Sequence, residues 1–153
     1  MPLLVDIAAK EIGYIEGKNN ENKYSKALGR PAESWCADFV VWCMHQSGHA
    51  GDIINTPSVI AMCNWAKKAG LVIDPKDARP NDIVAFDFTG KKKMPVHIGI
   101  VEKGLNDKNS LATIEGNTSN SSDPKKGSQS NGDCVARKER GLSSVFLVFR
   151  PKY

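Results

Sequence analysis

The sequence predicts an α+β fold, with N-terminal helices packed on a C-terminal antiparallel β-sheet. Three observations predict it. Within residues 3 to 70, three separate stretches carry apolar side chains at helical spacing. Beyond Gly70 the texture changes to short β-branched and alternating runs bounded by turn residues. Helices first and strands after is the order of an α+β domain rather than of βαβ units. At 153 residues the chain suits one domain, spanning 1–153, with a sizeable core and no internal repeat.

Taken in order, residues 3 to 13 place Leu4, Ile7, Ala8, Glu11 and Ile12 on helical spacing, and Gly13 closes the stretch. From Gly17 to Pro31 the composition turns polar, with Asn19, Asn20, Asn22, Gly29 and Pro31 marking a loop. That loop is either a connector or one wall of a cleft. It leads into Ser34-Trp35-Cys36-Ala37-Asp38-Phe39-Val40-Val41-Trp42-Cys43, a helix with almost no polar face and therefore buried, running to about Ser47. A third helix covers Ser58 to Ala66, with Pro57 suited to its first turn and Gly70 to its end. Arg79-Pro80-Asn81-Asp82 is a turn, and residues 83–88 a strand. Strands follow at about 95–102 and 110–115, then a long polar surface loop over 118–133. Cys134–Arg137 and Val145–Phe149 complete the sheet.

The net charge of +4 is mild, and lysines concentrate in Lys91-Lys92-Lys93 and Lys125-Lys126. Such lysines confer solubility, or attract an anionic polymer such as a bacterial cell wall. Nucleic acid is not expected, because no basic recognition helix or aromatic-interleaved basic strand occurs. No run reaches transmembrane length, so membrane insertion is not expected either. The N-terminus lacks a basic region followed by a long apolar one, which predicts cytoplasmic synthesis without a signal peptide. In that setting Cys36, Cys43, Cys63 and Cys134 are read as free thiols. His45 and His49 sit near a helix end, where histidine is common, and no C-x-x-C pair accompanies them, so no metal and no cofactor are expected, and the chain is read as a monomer.

Cys36 carries the functional reading. Ser34 is a good N-cap, which puts Cys36 in the first turn, where the helix dipole favours a thiolate. Taken alone, a cysteine in an apolar helix is commonly a packing residue. Its partners change that reading. Pro95-Val96-His97-Ile98-Gly99-Ile100-Val101-Glu102 is an alternating run with a histidine inside it, and Ala112-Thr113-Ile114-Glu115-Gly116-Asn117 ends in a carboxylate and an amide. A nucleophile at a helix start, a base on one strand and an orienter on the next form the Cys/His arrangement of papain-like enzymes. Alternation places Glu115 and Asn117 on one strand face, leaving their division of labour open. Trp42 reads as a core filler. Trp35 also reads as a core filler or, beside the nucleophile, as a candidate for lining the cleft and touching substrate.

Four blocks, Trp35-Cys36-Ala37-x-Phe39-Val40-x-Trp42-Cys43, Arg79-Pro80-Asn81-Asp82-Ile83-Val84-x-Phe86, His97-Ile98-Gly99-Ile100-Val101-Glu102 and Ile114-Glu115-Gly116-Asn117, resemble the successive signatures of the CHAP domain. The name stands for cysteine, histidine-dependent amidohydrolase/peptidase, within the papain-like NlpC/P60 superfamily. The resemblance implies a papain-like α+β fold and cleavage of peptide or amide bonds in bacterial peptidoglycan, as in phage endolysins. It implies Cys36 as nucleophile, His97 as general base and then acid, Glu115 as the group orienting His97, and Asn117 as a further polar member of the site. Where the family usually has Pro-Gly-Asp, this chain has Pro80-Asn81-Asp82, and Asn tolerates the left-handed backbone such a turn needs. Some phage members bind calcium upstream of the cysteine. Here that stretch offers only Glu21 and Glu33 as acids, too few for a calcium site.

The implied setting is action on the wall after release by a holin, carriage on a virion, or injection as an effector. Which bond is cut, within the stem or cross-bridge or at the N-acetylmuramoyl-L-alanine amide, is left open by the sequence. Three other readings stand beside this one: a thiol protease or amidase on non-wall substrates, a catalytically silent wall-binding module, and a Cys/His metal protein.

Overall fold

The computed structural model describes residues 3–119 and 128–153. Half of the expected 118–133 loop, residues 120–127, therefore falls outside the described residues, Lys125-Lys126 included. Among the described residues the helices are α1 (Leu4–Lys10), α2 (Lys23–Ala27), α3 (Cys36–Gln46) and α4 (Val59–Lys68). The strands are β1 (Val72–Ile73), β2 (Ile83–Phe86), β3 (His97–Lys103), β4 (Ser110–Thr118), β5 (Cys134–Gly141) and β6 (Val145–Phe149). They form one antiparallel sheet in the order β1-β6-β2-β3-β4-β5. The fold is α+β, as expected.

Alternation along the strands divides the core in two. Ile83 and Ala85 of β2, Ile98 and Ile100 of β3, and Ile114 of β4 face the helices, against Phe39, Val40, Cys43 and Met44 of α3 and Leu4 and Ala8 of α1. Val84 and Phe86, with Val101, Leu111, Val145 and Val148, form a second cluster on the opposite face. This second core exists because the sheet coils. β5 and β6 lie four strand spacings apart in the sheet, about 19 Å if flat. Only Leu142–Ser144 connects them, and four residue steps reach at most about 14 Å. The two strands can be joined so briefly only if the sheet curls its faces inward.

The structure differs from the sequence expectation at several elements. The polar stretch before the cysteine contains α2, capped by the Asn22 side chain accepting from Ser25 N at 2.8 Å. Its buried Tyr24 and Ser25 make it a tertiary helix rather than one with an amphipathic signature. β4 runs to Thr118 and β5 to Gly141, each longer than expected. Finally, α4 begins at Val59, capped by Ser58 accepting from Ala61 N at 3.1 Å, so Pro57 precedes the helix. No helix among the described residues is long and apolar enough to cross a membrane.

Candidate active site

Cys36 is the first residue of α3, with Trp35 in the capping position. Ser34 does not cap the helix as expected. Its hydroxyl instead contacts Asn131 Oδ1 at 3.1 Å, across 97 residues of chain. The start of α3 is held by Asp38, fully buried, which accepts from Ser25 Oγ at 2.7 Å and Arg30 Nε at 2.6 Å. The helix entrance is thereby tied to α2 and to the loop before the cysteine. Cys36 is buried but keeps 5 % of its surface exposed.

Two glycines let the strands come close. A Cβ on Gly116 would lie 2.6 Å from Phe39 Cβ and 2.8 Å from Trp35 Cζ3, so only glycine allows β4 this near to the start of α3. A Cβ on Gly99 would lie 2.6 Å from Glu115 Cγ. The bare backbone of β3 is what gives the Glu115 side chain room beside His97.

His97 opens β3, fully buried opposite Phe86. The Phe86 and Phe88 rings flank it, with centroids 6.0 and 5.9 Å away. Its Nε2 is 2.8 Å from Glu115 Oε1. A carboxylate can only accept, so Nε2 carries the proton. Nδ1 is buried with no hydrogen-bond partner. Burial by itself would lower the ring's pKa, but the neighbouring Cys36 side chain and the hydrogen bond and charge of Glu115 outweigh it, raising the value from 6.5 to about 9. With Nε2 taken by Glu115, the nitrogen left for the sulfur is Nδ1.

Glu115 is saturated. Its Oε1 accepts from His97 Nε2 and, at 2.5 Å, from Arg140 Nη2; its Oε2 accepts from Arg140 Nε at 2.8 Å and Thr113 Oγ1 at 2.6 Å. Burial would raise its pKa, yet hydrogen bonds and charge from Arg140 and His97 bring it down from 4.5 to about 2. Arg140 was not legible in the sequence as a member of the site. It lies in Arg137-Lys138-Glu139-Arg140, which reads as a solvated charge run, whereas β5 alternation turns Lys138 and Arg140 inward.

The structure thus brings Cys36, His97 and Glu115 together, and it places Asn117 and Trp35 differently from expectation. Strand register shifts between Glu115 and Thr118, and Asn117 takes a left-handed backbone with φ 56°. That bulge breaks the alternation expected to set Asn117 beside Glu115. The Asn117 Nδ2 turns to Asn131 Oδ1 at 3.3 Å and Ser130 O at 3.5 Å, while its buried Oδ1 has no partner. Trp35 has no exposed surface and so cannot line a cleft. Its indole stacks on Tyr24 at 5.3 Å and donates to Glu16 Oε1 at 3.2 Å. Trp42, half-buried, packs edge-on against Tyr24.

All four cysteines are free. Burial pushes the Cys43 thiol well above its ordinary value, that of Cys63 up to about 12, and that of Cys134 upward. These three remain protonated at neutral pH. The substituted turn at Asn81 has the left-handed backbone expected of it, φ 79°, and its Oδ1 accepts from Val5 N at 3.0 Å.

No curated protein matches the sequence. Among solved structures, the fold is similar to that of the wild-type endolysin LysIME-EF1, with a TM-score of 0.55 and 16% sequence identity. The match covers 100% of this chain and 66% of that one, so this chain spans just under two thirds of that protein's length. The family model for the CHAP domain matches residues 27–117, which include Cys36, His97, Glu115 and Asn117. That match takes in more than half of the sequence, and the chain belongs to the CHAP domain family.

Proposed function

We propose that this chain is a peptidoglycan hydrolase that cleaves a wall amide by Cys–His nucleophilic catalysis, acting as one endolysin-like catalytic domain. Membership of the CHAP family and likeness in fold to an endolysin support the wall as target. The observation that carries the chemistry is the division of the His97 ring: Nε2 is committed to Glu115, and the buried Nδ1 is left without a partner.

In this reading the Cys36 sulfur, as thiolate beside imidazolium His97, attacks the amide carbonyl carbon. The carbonyl π pair moves to oxygen, and the oxyanion meets the N–H groups that the start of α3 leaves without intrahelical partners. His97 Nδ1–H then gives its proton to the departing amine as the C–N bond breaks, leaving a thioester on Cys36. Nδ1, now neutral, takes a proton from water as the water oxygen attacks the thioester. Collapse of that second intermediate releases the carboxylic acid and restores the thiolate–imidazolium pair. Glu115 stays a carboxylate throughout, because four donors hold its two oxygens. The substrate is either a stem or cross-bridge peptide bond or the N-acetylmuramoyl-L-alanine amide.

The test is mass spectrometry of fragments released from purified peptidoglycan. Wild type is expected to release muropeptides carrying one new amine end and one new carboxylate, and Cys36→Ala none while melting like the wild type. Equal release by folded Cys36→Ala would refute the proposal.

A further inference from the structure

We propose that Arg140 is a positioning residue for this reaction, setting the plane of the Glu115 carboxylate so that Oε1 fixes the His97 ring. The inference rests on the catalytic reading above. A buried carboxylate needs a compensating cation, and a lysine would supply that charge as a point. Arg140 supplies a fork: Nη2 on Oε1 at 2.5 Å and Nε on Oε2 at 2.8 Å. Two parallel bonds remove the carboxylate's freedom to rotate, and they leave Oε1 directed at Nε2, 2.8 Å away.

The guanidinium is itself immobilised on three sides. It lies 4.7 Å over the Phe88 ring and 5.5 Å over Phe86, the same two rings that flank His97. Its Nη1 donates to Gln129 Oε1 at 3.1 Å, which ties it to the segment after the undescribed residues. Only 8 % of Arg140 is exposed, so it acts on the ring through Glu115 and not on substrate. It also lies beyond the stretch matched by the family model. The charged groups facing Glu115 are His97 from β3 and Arg140 and Lys138 from β5, and Cys36 of α3 faces His97 in turn.

The experiment compares Arg140→Lys in wild type, and Arg140→Gln in a Glu115→Gln background. Apparent kcat and KM on purified peptidoglycan are measured from pH 5 to 10, alongside the His97 Nε2–H proton resonance. Arg140→Lys keeps the charge and loses the fork. It is expected to lower kcat about tenfold to a hundredfold, the scale for losing a histidine's outer partner, with KM unchanged. Its acid limb moves to higher pH, since a less tightly held Glu115 protonates sooner, and the Nε2–H signal broadens through exchange. With Glu115 already Gln, Arg140→Gln should cost nothing more, because the path of its influence is gone. A folded Arg140→Lys with wild-type kcat, pH profile and Nε2–H signal overturns the proposal. So does a further tenfold loss in the Glu115→Gln background, a comparison that stands if Arg140→Lys fails to fold. Failure of the hydrolase reading looks different: Cys36→Ala stays active, while the Nε2–H signal still reports whether Arg140 holds the ring.

Discussion

His97 has two ring nitrogens in two environments, and that asymmetry determines how the site should respond to pH. Glu115 holds Nε2 and the Cys36 side acts on the rest of the ring, so the imidazolium persists to about pH 9. The proposed reaction needs that imidazolium to protonate the leaving amine. Apparent kcat/KM is therefore expected to fall above about pH 9 in a pH–rate profile. A rate that keeps climbing through the ring's titration would show that His97 is not the acid. At this scale, the residues whose meeting was legible in the sequence are Cys36, His97 and Glu115, each marked by chemistry unusual for its context. The cleft reading of Trp35 fails because adjacency to the nucleophile says nothing about where an indole points, and the Tyr14 and Tyr24 rings pack against it in the core. Arg140 was invisible because an inward arginine on a strand has the same letter pattern as a solvated one.

The start of α3 and the end of β4 must nearly touch for the site to exist, and Gly116 permits this. Gly116→Ala would put a methyl group 2.6 Å from Phe39 Cβ, and neither Phe39 nor Trp35 has solvent to move into. Overpacking of this kind is expected to cost about 1–3 kcal/mol of stability in chemical denaturation. Because the displaced element carries Cys36, activity should fall in the fraction that remains folded. Unchanged stability and activity would mean that β4 and α3 can separate freely. The helices of the core were legible from their apolar period, and so was the left-handed turn at Asn81. The short α2 was not: its stability comes from the Asn22 cap and from burying Tyr24, a contact made by distant residues. The β4 bulge was also hidden, since Gly116-Asn117 is equally compatible with a turn that ends the strand.

Over the whole molecule, the coiled sheet encloses the Arg140–Glu115–His97 chain, so its ionisation is linked to global folding. The pKa of His97 is raised from 6.5 to about 9, which contributes stability fully present below 6.5 and lost as pH rises through about 9. That of Glu115 is lowered from 4.5 to about 2, which contributes stability present above 4.5 and lost as pH falls through about 2. Both contributions are complete between pH 4.5 and 6.5. The melting-temperature gap between wild type and His97→Gln should be constant in that window and close as pH rises through about 9. A gap that widens with pH would reverse the sign and contradict the linkage.

The central claim is that one sulfur out of four is made reactive by one imidazole, and limited alkylation tests it directly. Treatment with iodoacetamide at neutral pH, followed by peptide mass mapping, is expected to place a single label on Cys36, with activity lost in parallel. Cys43, Cys63 and Cys134, held as thiols by burial, should stay unlabelled. Replacing His97 by Ala should slow labelling of Cys36 by about tenfold or more. Label on another cysteine first, or an unchanged rate at Cys36 in folded His97→Ala, would contradict the account.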